Sequence, residues 1–487
     1  MKIRKLQLKN IGVFDDETIT FQPCPAKDKA EIHIFTGENG TGKTTILMAL
    51  ASAFRYLPNF HKEKESLVGF TDFLNQVGSA EAKTQQEEQL KHTFGNMFDV
   101  LQERLFEPDR NKAKADEFCK RFRFFDVESD ISKSSVIVDG FEIYGCSECG
   151  DIVHSKEVKL YSKLSSEPSN TLIKKYEVPF ALFAYSGYRR IKDELIQIGK
   201  ENDENPLYQA LDFVKNENSA FTVNQWIGQN LLNSSLAQTK KKLEEAKHFN
   251  RKVQTLEKVI NDIIRKETKD VNLKFEMQSA TKLVLIKDNR ELDFDVLPDG
   301  LNSLISWIGD LLMRLDSLKW ENDTPIFDRE IILFLDEIEV HLHPSWQRKV
   351  LPIIQTLFKN AQIFVSTHSP FVVNSVDDAW VYKLKFNSKG KVKKASVKRT
   401  ENSQSITQVL REVFDIYGLF GKEVQDNIDE FEKLRDKILS NGTDLEAENE
   451  LLKIAKLLAK EPSDQIKNIV RGELEQLSEI KGKNFLI

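Results

Sequence analysis

The sequence predicts an α/β fold centred on a parallel sheet, and three stretches predict it. "FTGENGTGKTT" (Phe35–Thr45) has phosphate-loop spacing: Gly37, four residues, then Gly42-Lys43-Thr44. "IILFLDEIE" (Ile331–Glu339) is an apolar, β-branched run closed by two acids, and "IFVSTHSP" (Ile363–Pro370) is a second apolar run leading to His368. In open α/β sheets ligands bind at the C-terminal ends of strands, where all three stretches carry their polar residues.

From the N-terminus, "KIRKLQLKNIGVFDDETITF" (Lys2–Phe21) alternates as two strands joined by a polar turn, and "EIHIF" (Glu31–Phe35) reads as the strand feeding the phosphate loop. "TTILMALASAF" (Thr44–Phe54) reads as the helix that follows. Between them, backbone N–H groups would curl around the β- and γ-phosphates of ATP, and the helix N-terminus adds its positive end. Lys43 is expected on the terminal phosphates and Thr44 on Mg²⁺. Gly37, Asn39, Gly40, Thr41, Gly42 and Thr45 complete the expected nucleotide contacts.

Residues 1–56 and 271–400 read as the two halves of the nucleotide lobe. Between them the chain reads as a charged helical insertion (57–128), a β-rich insertion (129–180) and a helical lobe (181–270). "VPFALFAYSG" (Val178–Gly187) has the composition of a buried strand. In the helical lobe Val253, Leu256, Ile260 and Ile263 share one helix face, a stripe too short for a long coiled-coil arm. Three strands, "NLKFEM", "KLVLIKD" and "ELDFDV", then precede a helix at about Asn302–Leu318. Residues 401–487 read as a C-terminal helical interaction region, within which "ITQVLREVFDIYGLF" (Ile406–Phe420) reads as one strongly apolar helix.

Asp336, at the end of its strand, is expected to hold Mg²⁺ through water, and Glu337 to polarise the attacking water as general base. The alternative is a buried strand followed by an exposed acidic turn. The strand ending in His368 is expected beside that of Asp336, with the imidazole near the γ-phosphate or the lytic water. A lone strand-end histidine also serves structure alone.

"LPDGLNSLISWIGDLL" (Leu297–Leu312) resembles the signature helix of ABC-type ATPases, whose N-terminus caps the γ-phosphate of a nucleotide held by another subunit. The usual Ser-Gly-Gly is Pro298-Asp299-Gly300 here, so Gly300 carries the match and Ser303 is the candidate hydroxyl; a plain core helix after a turn is the alternative. The order of phosphate loop, signature-like helix, Asp-Glu strand and Ser-Thr-His-Ser resembles the ABC-type heads of the SMC, SMC-like DNA-repair and OLD ATPases. "LDEIEVHLHP" (Leu335–Pro344) and "FAYSGYRR" (Phe183–Arg190) are similar to the OLD-like branch, but no Toprim arrangement follows His368. The chain therefore resembles the stand-alone ATPases of bacterial anti-phage systems, foremost the Septu ATPases paired with an HNH nuclease, then the PARIS ATPases paired with a Toprim nuclease.

This resemblance implies a P-loop NTPase of ABC-head type with a mixed sheet, helical insertions and a C-terminal helical region. It implies ATP and Mg²⁺ as cofactors, and a homo-oligomer, a head-to-tail dimer or higher, that controls a separate effector, with an HNH-type nuclease favoured and DNA contacted indirectly. The alternative is an SMC-like repair or recombination-mediator ATPase that clamps DNA. The missing long coiled coil and the net charge of -6 favour the switch.

No apolar run approaches a membrane span, and the start alternates where a signal peptide would be continuously apolar, so a cytoplasmic location without a membrane partner is expected. Four cysteines are no disulfide framework. Cys146 and Cys149, with His154 beyond, have half of a zinc-ribbon spacing, which Cys119 or a second subunit would have to complete; a reduced pair on a β-turn is the alternative. The lysine-rich hairpin Tyr382–Arg399 suits either a phosphate-backbone contact or an edge strand protected by charge.

Overall fold

The computed structural model describes residues 1–54, 135–144, 161–187, 196 and 205–487, with short gaps inside these spans. The insertion expected over 57–128 and the candidate zinc residues Cys146 and Cys149, with Cys119 and His154, lie outside the described residues. The chain divides into two units, Met1–Gln404 and Ser405–Ile487.

In the first unit, N-terminal alternation builds a hairpin of β1 (Lys5–Ile11) and β2 (Phe14–Thr20), with Leu6, Leu8, Phe14 and Ile19 on its buried face. The apolar run β3 (Glu31–Gly37) leads through the phosphate loop into α1 (Lys43–Ser52). Strands β4 (Ser135–Val138) and β5 (Phe141–Tyr144) extend the hairpin into an antiparallel sheet of order β2-β1-β4-β5. The fully buried β6 (Phe180–Ser186) is followed by α2 (Glu217–Thr239) and α3 (Leu243–Ile264), which pair as a hairpin. Val253, Leu256, Ile260 and Ile263 all lie on the buried face of α3.

Strands β7 (Leu273–Met277), β8 (Leu283–Lys287) and β9 (Arg290–Leu292) form a small antiparallel sheet. Helix α4 (Asp299–Ser317) is buried almost all round, under α2 and α3. Then come β10 (Glu330–Asp336), α5 (Pro344–Leu357), β11 (Gln362–Ser366), the short α6 (Pro370–Val373), and the hairpin β12 (Trp380–Phe386) and β13 (Val392–Arg399).

The central sheet has the order β13-β12-β3-β11-β10-β6. The five strands from β12 to β6 are parallel and β13 closes one edge antiparallel, so the fold is α/β with a mixed sheet, as the sequence predicts. The lysine-rich hairpin thus forms a sheet edge. The phosphate-loop strand and the Asp-Glu strand are not neighbours: β11 lies between them, with Ser366 level with Asp336 on one side and Phe35 on the other. Helix α1 packs under β3, β10 and β11, so the loop opens over the C-terminal ends of all three.

The opposite end of this sheet is tied by a buried polar network. Glu31 Oε1 accepts from Arg4 Nη1 (2.6 Å), His33 Nε2 (2.8 Å) and Gln362 Nε2 (2.7 Å), while Gln362 Oε1 accepts from the Ile3 N–H. Burial opposes the charge on Glu31, but the bonds from His33 and Arg4 outweigh it and hold the carboxyl at about 2. Burial also pushes the His33 imidazole below its ordinary range, against the pull of Glu31.

The second unit is helical: α7 (Ile406–Glu412), α8 (Lys422–Ser440), α9 (Leu445–Leu458) and α10 (Asp464–Lys481). The last three share a core of Phe431, Leu451, Ala455, Leu458, Val470 and Leu474. The helix expected over Ile406–Phe420 ends at Glu412 instead. Asp415 takes a left-handed conformation (φ 56°), and the Ile416 N–H returns to the Leu410 carbonyl, which turns the chain back on the end of the helix.

The buried histidine gives stability a pH dependence. In the unfolded chain His33 takes up a proton near pH ~6.5, and in the folded protein only at lower pH. Its contribution is therefore full above that value and lost as pH falls below it, and Glu31 adds a second loss between 4.5 and about 2. Thermal melts are expected to show Tm falling from about pH 6.5 downward. The variant His33→Gln, which keeps an N–H for Glu31, should flatten the first fall and leave the second. An equally steep first fall in the variant would assign it to another group.

Candidate functional site

The phosphate loop takes its shape from glycine. Gly37 and Gly42 adopt φ 146° and 81°, and a β-carbon on Gly42 would meet the Phe14 ring at 2.6 Å. Glu38, Asn39 and Gly40 form the exposed tip, whereas Thr41, Lys43 and Thr45 are buried beneath it. Lys43 Nζ donates to the carbonyls of Gly37 and Glu38, both at 3.0 Å, so the ammonium lies inside the loop's curve. Burial lowers its pKa, opposed by the nearby charges of Glu337, Asp336 and Glu339.

Facing the loop, Asp336 Oδ1 accepts from Thr44 Oγ1 (2.9 Å) and from Ser366 Oγ (2.5 Å). A hydroxyl and a carboxylate oxygen thus stand side by side at the first turn of α1, a donor set suited to Mg²⁺, which takes hard oxygen ligands.

The next residue, Glu337, has φ 51°, a conformation that non-glycine residues hold only when their surroundings enforce it. Its N–H donates to the Ser366 carbonyl and hydroxyl. Its carboxylate lies 3.8 Å from His368 Nε2, and both side chains are partly exposed over the loop. Burial pushes the His368 pKa down and the Lys43 charge adds to this, so the imidazole is neutral at neutral pH. His368 is held between the end of β11 and Ser369, whose hydroxyl caps α6 by accepting from the Phe371 and Val372 N–H groups. The structure therefore brings Lys43, Thr44, Asp336, Glu337 and His368 to one end of the sheet.

Two residues that sequence reasoning did not single out complete this arrangement. One is Ser366, the second donor to Asp336. The other is Glu339, 7% exposed, whose Oε1 accepts from Thr367 Oγ1 and the His368 N–H and whose Oε2 has no hydrogen-bond partner among the described residues. Burial raises its pKa. Its signal in the sequence is the third acid of "LDEIE", two residues beyond Glu337.

Gly300 and Ser303, the candidates for capping the phosphate of a nucleotide held by another subunit, are both buried within this chain. Ser303 is 1% exposed and its Oγ donates to the Gly187 carbonyl at 3.0 Å. Gly300 is buried against the His341 carbonyl, which a β-carbon there would approach to 2.6 Å. The cause is the packing of α4, whose N-terminal turn is covered by its own chain.

The AAA ATPase domain family matches residues 1–373. The retron Vc95 probable ATPase of Vibrio cholerae serotype O1 biovar El Tor is 22% identical over 381 residues, covering 76% of this chain and 72% of that protein. The retron Ec83 probable ATPase of Escherichia coli is 34% identical over 200 residues, 40% of this chain and 35% of that one. The Septu protein PtuA of Bacillus thuringiensis is 33% identical over 95 residues, 19% and 24% of the two chains. The last two similarities thus span about a third or less of those relatives' length.

The enclosed position of Lys43 yields a direct test. Lys43→Ala is expected to abolish tight ATP binding in equilibrium titration, because no other cation lies in the loop sequence Gly37–Thr44. Wild-type affinity in that variant would remove the phosphates from this loop.

Proposed function

Since the chain belongs to the AAA ATPase domain family and is an ATPase, we propose that it is the ATP-driven switch of a bacterial anti-phage defence complex. The observation that carries this reading is its set of relatives, two retron ATPases and Septu PtuA, together with the motif order that resembles the Septu ATPases. In this reading Lys43 and the loop N–H groups bind the phosphates, and Thr44 and Asp336 hold Mg²⁺, which when bound neutralises charge on the β- and γ-phosphates. Glu337 takes a proton from water as the water oxygen attacks the γ-phosphorus. The bond to the β-phosphate oxygen breaks, and ADP leaves with its electron pair. His368, neutral, offers a hydrogen bond to the γ-phosphate or the lytic water.

ATP-bound copies close head to tail as a homo-oligomer, and hydrolysis reopens them, which controls a separate effector, an HNH-type nuclease by the Septu resemblance. Residues 405–487, with a core of their own, supply the docking surface. No helix among the described residues is long and apolar enough to cross a membrane, which suits a cytoplasmic complex.

Glu337→Gln tests both parts. It should bind ATP normally, because Lys43, Thr44 and Asp336 remain, and hydrolyse it roughly 10²–10⁴-fold more slowly. Mass measurement should find it trapped in a larger assembly with ATP, and copurification should recover the effector encoded beside it. Unchanged mass with and without ATP argues against closure, and a rate stimulated by DNA with no protein partner favours a DNA clamp.

A further inference from the structure

We propose that Gly187, Gly300 and Ser303 are positioning residues for Glu337 in their own chain: the end of β6 and the first turn of α4 form the seat on which the Glu337–Leu342 turn rests. The proposal rests on the reading of Glu337 as the hydrolytic base.

The turn has two left-handed residues at its ends, Glu337 (φ 51°) and His341 (φ 66°). The carbonyls of these same two residues lie flush against glycines. A β-carbon on Gly187 would sit 2.1 Å from the Glu337 oxygen, and one on Gly300 would sit 2.6 Å from the His341 oxygen. Real β-carbons do not approach oxygen so closely, so any other residue at either place must displace the turn.

One hydrogen bond joins the seat to the strand end that carries the turn, a second braces the seat and a third braces the turn. The Gly187 N–H donates to the Asp336 carbonyl (3.1 Å), Ser303 Oγ donates to the Gly187 carbonyl (3.0 Å), and within the turn the Val340 N–H donates back to Glu337 (3.1 Å). Leu342, 5% exposed, packs on Gly300 and closes the far end. On the opposite side the Glu337 N–H is fixed by Ser366. The peptide that carries the base is therefore gripped from both neighbouring strands, and α4 sets the height of the β6 grip. A shift of α4 moves Glu337 without touching Lys43 or Thr44.

Turnover and ATP affinity, measured separately, test this. Gly187→Ala should keep the wild-type Kd for ATP and lose about 100-fold in kcat, the cost of misplacing a reacting group by about 1 Å. Ser303→Ala introduces no clash and should lose about fivefold in kcat, the worth of one hydrogen bond, again at unchanged Kd. Mixing decides between chains: Ser303→Ala protein combined with Glu337→Gln protein should gain no activity, because each chain's base is spoiled at home. Restored turnover in the mixture would mean that Ser303 serves a neighbour's nucleotide and would overturn the proposal, as would wild-type kcat in Ser303→Ala. If Gly187→Ala does not fold, Ser303→Ala and the mixture decide alone. Should Glu337→Gln itself hydrolyse ATP at full rate, the base assignment fails; should it be inactive while both seat variants turn over normally, only the seat fails.

Discussion

One carboxylate oxygen, Oδ1 of Asp336, holds together parts of this molecule that the sequence keeps far apart. Thr44 reaches it from the start of α1 and Ser366 from the end of β11, so the loop helix and two central strands meet at a single acceptor. Two hydroxyls fix the orientation of the carboxylate, and the peptide that follows is bent into a left-handed conformation that aims Glu337 at His368. An error in the register of β10 against β11 by one residue would separate these groups. The buried side chains of the central strands, among them Phe334, Phe364 and Phe35, make that slip prohibitive.

Much of this was legible because the physics is local. Apolar β-branched runs ended by polar residues named β3, β10 and β11, and glycine spacing named the loop between β3 and α1. The face of α3 followed from helical spacing alone. What was not legible depends on contacts between distant segments. Ser366 and Glu339 are ordinary polar residues until the register of two strands sets them beside Asp336 and His368. The composition around Gly300 suggests a helix N-terminus but is silent on which neighbours cover it, and these are His341 and Leu342, about forty residues downstream. The apolar stretch after Glu412 kept its hydrophobic content while losing its helix, because one left-handed aspartate ends the hydrogen-bond ladder regardless of composition.

The two ends of the central sheet divide polar work differently. At the loop end buried groups such as Lys43 and Ser366 stand beside Glu337 and His368, which are partly exposed and reach solvent. At the other end Glu31, His33 and Gln362 are sealed, and their bonds to Arg4 and Ile3 anchor the N-terminal segment to β3 and β11. A sealed network of this kind rewards one arrangement of strands and penalises all others, since each member left unpaired would be a buried polar group without a partner.

The strand order has a consequence for how the chain comes into being. Ile34 pairs with both Val365 and Val381, so β3 waits for partners more than three hundred residues downstream. At a synthesis rate of about 5–20 residues per second, that wait on the ribosome is on the order of 20 to 60 seconds. Throughout it, the most apolar N-terminal strand has both edges unpaired, the condition that invites aggregation and recruits chaperones. Such high contact order makes assembly of the sheet slow, whereas the helices after Ser405 form from near neighbours and fold quickly once they emerge. Release of a chain that stops short of β11 and β12 therefore yields a loop with nothing to close on, and nucleotide competence waits until both strands have been made.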